Sequence, residues 1–332
     1  MTEIAPDLGN QTKQPAPKPI VLPPSRRVGR DAPRDYLPDS GLVDAFRAML
    51  MLRRPLLLTG EPGTGKTQAA EYLNWKLGFA GNVLRFDAKS TSSARDLFYT
   101  YDAIRRFHQA QFEGGAKNPA DYIQYNALGA AILRAVPKSA VEAWLPPGFF
   151  HPGPPSQSVV LIDEADKAPR DFPNDVLNEL ENLVFRVPEF ENRQFAAGQD
   201  FQPLIVITSN SEKNLPAAFL RRCLYYHIQK PDRQRFRLIL EARLGVPEST
   251  PLNEDALAFM MFLRSPEVEI VKKPSTAELI DFVLLLQALG ARPTDRFSDI
   301  LPTVKSALVT LLKGEDGKSG ALVDAWIAQK IN

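Results

Sequence analysis

Residues Gly60 to Thr67 read GEPGTGKT and fit the phosphate-loop pattern GxxxxGK[ST]. The apolar run Leu56 to Leu58 precedes this segment, and a helical pattern from Gln68 to Leu77 follows it. In such a strand, loop and helix, backbone N–H groups cradle phosphate oxygens, and the positive end of the helix dipole favours the anion. The sequence therefore predicts a site for the phosphates of a nucleotide.

The residue types within this loop suggest separate tasks. Glycines let the backbone approach the anion closely, because a Cβ would obstruct the required φ and ψ values. Lys66 is expected to reach the β- and γ-phosphates, and the Thr67 hydroxyl is expected to hold Mg²⁺. The alternative is a glycine-rich loop that binds nothing. The predicted phosphate-binding residues are Gly60, Pro62, Gly63, Thr64, Gly65, Lys66, Thr67 and Gln68.

A second segment with side chains that could take part in catalysis runs from Ser158 to Asp166 and reads SVVLIDEAD. Its apolar run predicts a strand buried on both faces, and the acidic residues follow at the carboxyl end, where open α/β sheets bind ligands. Asp163 is expected to complete the Mg²⁺ shell through water. Glu164 is expected to orient and deprotonate an attacking water. The alternative is a strand that runs into a solvated, acidic helix start.

Two further polar segments follow strands. The run Leu204 to Ile207 ends in Thr-Ser-Asn, and the Asn210 amide could hydrogen-bond a γ-phosphate or the attacking water. Asn is also a common turn residue at strand ends. Arg221 and Arg222 precede another strand, and a guanidinium there could neutralise charge on γ-phosphoryl oxygens. If these arginines face a neighbouring subunit, hydrolysis would require assembly; the alternative is an ordinary basic surface pair.

The elements that must position these residues alternate between strands and helices, which predicts an α/β fold with a mostly parallel, doubly wound sheet. A long insertion covers about residues 90–157 and contains a helical pattern near Asp121 to Val136. Leu183 to Val187 and Gln194 to Ala197 could pair as a short hairpin. The remaining strand candidates are Asn82 to Phe86, Ser158 to Ile162, Leu204 to Thr208 and Leu224 to Ile228.

The chain is expected to divide into three parts. Residues 1–35 are rich in proline and poor in apolar residues, which predicts a disordered arm. Its arginines could form a weak docking patch: Arg26, Arg27 and Arg30. Residues 36–230 form the α/β core, and Asp39-Ser40 is expected to cap its first helix. Residues 231–332 contain five helical patterns and predict an all-helical second domain.

Composition narrows the class of protein. The formal net charge of +1 over 332 residues gives no global field for nucleic acid or an anionic membrane. Cys223 is the one cysteine, so an internal disulfide is excluded and a reducing compartment is favoured. No apolar stretch approaches a membrane span and the N-terminus lacks an apolar core like that of a signal peptide. These features predict a soluble, cytoplasmic protein.

The loop GEPGTGKT, the strand VVLIDEAD, the TSN tip and the segment LPAAFLRRC, followed by helices, resemble the AAA+ ATPases. Within them the chain looks most like the MoxR-type ATPases, because the segment VLRFDAKSTSSARDLFYTYDAIRRF is similar to a stretch of many MoxR-like members. The resemblance covers about residues 36–290. It implies an AAA+ P-loop sheet domain with a C-terminal helical lid.

The resemblance also implies a function. MoxR-type proteins are Mg²⁺-dependent ATPases that form rings, usually hexamers, and act as chaperone-like motors on protein clients, often with a von Willebrand A domain partner. Asn210 matches their sensor-1 position, and Arg222 or Arg221 matches the arginine finger. The usual sensor-2 arginine is absent from the matching stretch, where Lys272 or Lys273 could reach the γ-phosphate or could belong to a solvated helix cap.

Two other functions stay open at this level. The Asp163–Asp166 segment, DEAD, is typical of nucleic-acid helicases or translocases, but such enzymes need a second motor domain that this chain lacks room for. A nucleotide switch that never hydrolyses is the other alternative, and Glu164 argues against it because a switch could dispense with the base. GTP is disfavoured, since no NKxD-like segment follows the fourth strand.

Overall fold

The computed structural model describes residues 32–112, 118–210, 215–244, 250–313 and 319–331. Most of the predicted arm, including Arg26, Arg27 and Arg30, lies outside these residues. The strands are β1 Leu56–Thr59, β2 Leu84–Asp87, β3 Tyr99–Tyr101, β4 Ile123–Tyr125, β5 Val159–Asp163, β6 Val184–Val187, β7 Arg193–Ala196, β8 Leu204–Ser209 and β9 Leu224–His227. The helices are α1 Ser40–Leu52, α2 Lys66–Leu77, α3 Ala103–Phe112, α4 Ala127–Arg134, α5 Phe172–Asp175, α6 Leu177–Asn182, α7 Ala217–Arg222, α8 Arg233–Leu244, α9 Pro251–Arg264, α10 Thr276–Ala288, α11 Leu301–Ala307 and α12 Ser319–Ile331.

A five-stranded parallel sheet with the order β2-β5-β8-β1-β9 forms the centre of the α/β part. Alternate residues of each central strand enter opposite apolar cores. Leu57, Val160 and Ile207 pack on one face, and Leu58 and Leu161 pack on the other. Both faces are therefore buried, which explains why these strands have continuous apolar runs rather than alternating ones. The predicted α/β parallel fold is confirmed.

The sheet order also determines which strand ends are neighbours. β8 lies between β5 and β1, so the carboxyl ends of these three strands lie side by side at one edge of the sheet. The phosphate loop follows β1, the acidic pair Asp163 and Glu164 lies at the end of β5, and Asn210 follows β8. Three segments that are far apart in sequence are thereby brought to one place.

The insertion differs in one respect from the sequence prediction. The helical pattern near Asp121 to Val136 contains a strand, β4, before α4 begins at Ala127. β4 pairs antiparallel with β3, with Tyr99 opposite Tyr125, and its residues alternate between buried and exposed. This pairing with a distant tyrosine-rich strand outweighs the local helical pattern. The hairpin predicted from 183–187 and 194–197 is confirmed, because β6 and β7 pair antiparallel.

The helices α8 to α12 pack around a separate apolar core that contains Phe236, Phe259, Phe282 and Trp326. The division near residue 231 stays a prediction, and this separate core supports it. The cap predicted for α1 is present, since the Leu42 amide donates to Asp39 Oδ1 at 2.8 Å. Within the described ranges, no helix combines the length and apolarity needed to cross a membrane.

Candidate nucleotide site

The phosphate loop joins β1 to α2, and it leaves the start of this helix open. Gly65 is the N-cap residue of α2 at φ 90°, a left-handed conformation that glycine adopts without a Cβ penalty. No side chain caps the helix at this residue. The N–H groups of the first helical turn therefore remain available for an anion, as the loop pattern predicts.

Lys66 points into the loop rather than into solvent and is only 7% exposed. Its Nζ donates to the carbonyl oxygens of Gly60 at 2.8 Å and Glu61 at 3.0 Å, and to Asn210 Oδ1 at 2.9 Å. Burial lowers the pKa of Lys66, and the negative charge of Asp163 opposes this shift. The contact with Asn210 brings together two residues that the sequence places 144 positions apart.

Asp163 is the most buried carboxylate of the site, at 4% exposure. The Thr67 hydroxyl lies 3.1 Å from both of its oxygens, and Thr208 Oγ1 donates to Oδ1 at 2.5 Å. Arg85 from β2 contacts Oδ2 at 2.9 Å. Thr67 and Asp163 converge as predicted for a metal site. The contacts from Thr208 and Arg85 were not predicted from the sequence.

The oxygen atoms of Thr67 and Asp163 are hard ligands of the kind that Mg²⁺ prefers, so the residues present fit this ion. Within the described parts of the chain, no cluster of three or more His, Cys, Asp or Glu residues could hold a metal ion. In nucleotide sites Mg²⁺ usually binds one or two carboxylates together with phosphate oxygens and several waters.

Glu164 follows Asp163 and has an unusual backbone conformation for a residue with a side chain, with φ 55° and ψ 48°. Its amide donates to Thr208 Oγ1 at 2.8 Å, which fixes this turn against β8. The Glu164 carboxylate pairs with Lys167 Nζ and borders the cavity described below. Strained conformations of this kind are concentrated at functional sites.

Asn210 is held by its backbone as well as by its side chain. Its amide donates to Asp166 Oδ1 at 3.0 Å, and its side chain accepts from Lys66. Asp166 therefore has a positioning role that the sequence did not reveal. The structure brings Lys66, Glu164 and Asn210 to the walls of one cavity.

This cavity has a volume of about 720 Å³, within the range of small-molecule sites. Seven of the eight predicted loop residues, Lys66 among them, border the cavity. The eighth, Gly60, lies against the Ile228 backbone, where an added Cβ would be 2.8 Å from the carbonyl oxygen. Apolar and aromatic residues that the sequence analysis did not identify also line the cavity: Tyr36, Leu37, Ile228, Ile239, Ile280 and Leu284. Burial and the nearby Asp39 raise the pKa of Tyr36, so its hydroxyl stays neutral.

The paired arginines lie at the end of α7, outside the residues that line this cavity. Arg222 Nε contacts Glu181 Oε1 at 2.5 Å, and both Arg221 and Arg222 are exposed. Arg54 Nε donates to the carbonyl of Arg222 at 3.2 Å and so fixes the turn after the helix. The structure does not bring these arginines to the phosphate loop of their own chain.

Of the two alternatives for Lys272 and Lys273, their contacts favour a place beside the cap of α10 over a contact with the γ-phosphate. Lys273 Nζ donates to the backbone carbonyls of Ser265 and Val268, and Lys272 pairs with Glu278 at 3.7 Å. Neither lysine is among the residues that line the cavity. Two arginines of α8 do line it instead, and one of them, Arg243, donates to Gln68 Oε1 at 2.8 Å. No local motif in the sequence marks these arginines.

Comparison with known proteins agrees with this arrangement. Residues 55–223 of the 332 match the family model described as AAA domain, dynein-related subfamily. A stretch of 43 residues is 44% identical to Protein CbbQ of Allochromatium vinosum, and it spans 13% of this chain and 58% of that protein.

Solved structures of the Thermotoga maritima RuvB Holliday junction branch migration motor are also similar. One of these structures has a TM-score of 0.44 at 14% identity. The match covers 81% of this chain and 66% of the RuvB chain. A point mutant of the same protein has a TM-score of 0.49 at 12% identity. The match covers 84% of this chain and 72% of the mutant's chain.

The matched family model begins just before β1 and ends just before β9, so it contains the phosphate loop, the acidic pair and Asn210. An AAA domain implies nucleotide binding. This chain belongs to the AAA domain family, in its dynein-related subfamily, and is a MoxR-type AAA+ protein.

Proposed function

We propose that this chain is a Mg²⁺-dependent ATPase that works in a ring and remodels a protein client. The observation that supports hydrolysis best is the meeting of two side-chain pairs at one sheet edge: Lys66 with Asn210, and Thr67 with Asp163. All four residues line the same cavity, and in this proposal Lys66 binds phosphate, Thr67 and Asp163 hold the metal, and Asn210 supplies a polar amide.

The nucleotide would lie with its phosphates on the loop and its base among the apolar side chains near Tyr36 and Ile239. Thr67 and Asp163 would hold Mg²⁺, which, when bound, neutralises charge on the phosphate oxygens. Lys66 would donate to the β- and γ-phosphates. Lys66 and Thr67 begin the helix after the loop and Asp163 ends the strand β5, so these three residues would bind the triphosphate and its metal together.

Glu164 would accept the proton of the attacking water, and Asn210 would orient that water or the γ-phosphate. The carboxylate of Glu164 pairs with Lys167, and a small rotation away from this exposed lysine would free it. Thr208 accepts from the Glu164 amide and so holds the backbone of this residue at the cavity wall.

The variant Glu164→Gln tests hydrolysis directly. It keeps the size of the side chain and removes the base, so ATP should bind with unchanged affinity while turnover falls by about 100-fold or more. Glu142→Gln is the matched control, since Glu142 is exposed and pairs with Lys138 far from the cavity. Unchanged turnover of Glu164→Gln would show that another group activates the water, and a non-hydrolysing switch would show no turnover in the wild-type protein.

We further propose that the active form is a ring, usually a hexamer in this family, in which Arg222, or its neighbour Arg221, enters the site of the next subunit. Support comes from the exposed position of both arginines and from their distance from their own cavity. Arg222 would exchange its contact with Glu181 for one with the γ-phosphate.

Mixing two inactive variants tests this proposal. Arg222→Ala has an intact cavity and lacks the finger, whereas Lys66→Ala has an intact finger and lacks nucleotide binding. If Arg222 acts on the neighbouring subunit, mixtures should regain turnover that neither variant has alone. Arg237→Ala serves as the control because it removes an exposed arginine paired with Glu241. Absence of recovery at every mixing ratio would contradict the assignment to Arg222.

A protein client and a von Willebrand A domain partner are also part of the proposal, and membership in the MoxR type supports them. The insertion at about residues 90–157 and the N-terminal arm are the proposed contact regions, since the sequence motifs of the ATPase lie outside them. We also propose a cytoplasmic location, which the single cysteine favours. A pull-down with Glu164→Gln under ATP should retain the client; the same pull-down with Lys66→Ala should not.

A further inference from the structure

Arg85 links two carboxylates at the edge of the candidate metal site. It lies in β2, whose register places Asp87 directly beside Asp163 of β5. Its guanidinium contacts Asp163 Oδ2 at 2.9 Å, and its Nη2 and Nε both lie 2.7 Å from Asp87 Oδ1. The Asp163 side chain is 6% exposed, whereas those of Arg85 and Asp87 are 47% and 59% exposed.

The contacts of Asp163 divide between its two oxygens. Thr208 donates to Oδ1, Thr67 lies equally close to both, and Arg85 contacts Oδ2. A buried carboxylate needs a nearby positive charge, and Arg85 supplies one here. A divalent cation held near Thr67 would supply that charge as well. Two cations would then face the same carboxylate, and they would repel each other.

We propose that Arg85 competes with Mg²⁺ for Asp163 and that Asp87 receives the guanidinium when the metal binds. This inference rests on the proposed function, because it assumes that Thr67 and Asp163 hold the metal. Arg85 already donates to Asp87 through two nitrogens, so it can release Asp163 without losing its ion pair. Arg85 is thus a positioning residue that sets how tightly the site holds its metal.

The test measures the affinity of the non-hydrolysable analogue AMP-PNP by calorimetry, with Mg²⁺ and with EDTA. The ratio of the two affinities reports the metal contribution. Arg85→Gln should raise this ratio by about tenfold, since it removes a charge-assisted contact that competes with the metal. Its affinity in EDTA should match that of the wild-type protein. Arg85→Lys keeps the charge and should stay near the wild-type ratio.

Asp87→Asn should change the ratio in the opposite direction. It removes the second acceptor of Arg85, leaves Asp163 as the main partner, and should lower the ratio by about threefold. In the Arg85→Gln background, Asp87→Asn should have no further effect, because its influence passes through the arginine. If each substitution instead acted only through the overall charge of the site, their two effects on the ratio would add in the double variant.

Arg47→Gln is the matched control, since Arg47 is exposed and pairs with Asp44 on α1. Circular dichroism establishes that each variant is folded. An unchanged or lower ratio for Arg85→Gln, or a loss of affinity in EDTA, would overturn the proposal for Arg85 and leave the ATPase proposal intact. Failure of the wild-type protein to bind AMP-PNP at all would overturn both.

Discussion

The variant Gly63→Ala tests how closely the phosphate loop approaches the start of α10. Gly63 lies in the loop at φ 80°, and Ser275 is the N-cap residue of α10. A Cβ on Gly63 would lie 2.6 Å from the Cβ of Ser275 and 2.7 Å from its Oγ. The loop and the start of α10 are therefore in direct contact.

Two costs follow from adding this methyl group. An alanine in the left-handed region costs about 1–2 kcal/mol. The Cβ–Cβ distance must also open by about 1 Å to reach an ordinary contact distance of about 3.5–4.0 Å. Because Ser275 is fixed by a capping box with Glu278, the loop or the whole end of α10 must move. We expect the alanine loop to relax to a negative φ when it is empty, so that binding must restore the φ of 80°. This conformational cost alone predicts about a 5- to 30-fold loss of nucleotide affinity.

A second substitution separates the two costs. Ser275→Gly removes both atoms that clash and, as a cap, costs only a few tenths of a kcal/mol. Gly63→Ala with Ser275→Gly should recover part of the affinity in calorimetry, while the cost of the φ value remains. Ser275→Ala keeps the Cβ and should recover little. Wild-type affinity for Gly63→Ala, or equal recovery with Ser275→Ala, would refute the predicted contact.

Three other measurements follow from the site. Thr67→Ala removes the hydroxyl beside the buried carboxylate of β5, so the Mg²⁺ concentration for half-maximal turnover should rise while nucleotide affinity in EDTA stays unchanged. Burial alone would raise the pKa of Glu61, but its ion pairs with Lys230 and Arg264 lower it. The stability from these pairs is present above about pH 4.5 and lost as the pH falls, so Glu61→Gln should flatten the acid limb of the Tm against pH. Burial raises the pKa of Cys223 to about 12, so the native thiol should not react with DTNB at pH 8 and should react on unfolding.

The parts of the site that could be predicted from sequence follow local rules. The phosphate loop has a fixed pattern, and the chemistry at Asp163 and Asn210 follows from their position after apolar strands, because the carboxyl ends of parallel strands meet at one edge. The contact between Lys66 and Asn210 shows that this rule holds here. The arrangement of the five-stranded sheet explains why it does.

Other parts depend on contacts that no local pattern encodes. Arg243 donates to Gln68 across 175 positions, and Thr208 reaches Asp163 across 45. Arg85 looks like an ordinary exposed strand residue until the register of β2 against β5 is known. Tyr36 lies over Gly65 only because the segment before α1 folds back onto the loop. Tertiary packing, rather than sequence spacing, sets these positions.

The helix α4 lies within the predicted segment, and the part of that prediction that was wrong, at Ile123–Tyr125, has a similar cause. Residues 121–136 have apolar positions that fit a helix, but Ile123–Tyr125 pair with Tyr99–Tyr101 instead. Aromatic residues favour strands, and cross-strand pairs between them stabilise a short sheet. Tyr99 lies 26 positions before its partner Tyr125, so a window-based pattern does not detect the pairing.

The most direct test of this account compares ATP binding by the wild-type protein and Lys66→Ala. Lys305→Ala serves as the control, because Lys305 forms an exposed pair with Asp324 among the lid helices. Calorimetry should show wild-type affinity for the control and a loss of about 100-fold or more for Lys66→Ala, since the buried ammonium would no longer contact the phosphates. Equal affinity in all three proteins would mean that ATP binds elsewhere, and would contradict the nucleotide site described above.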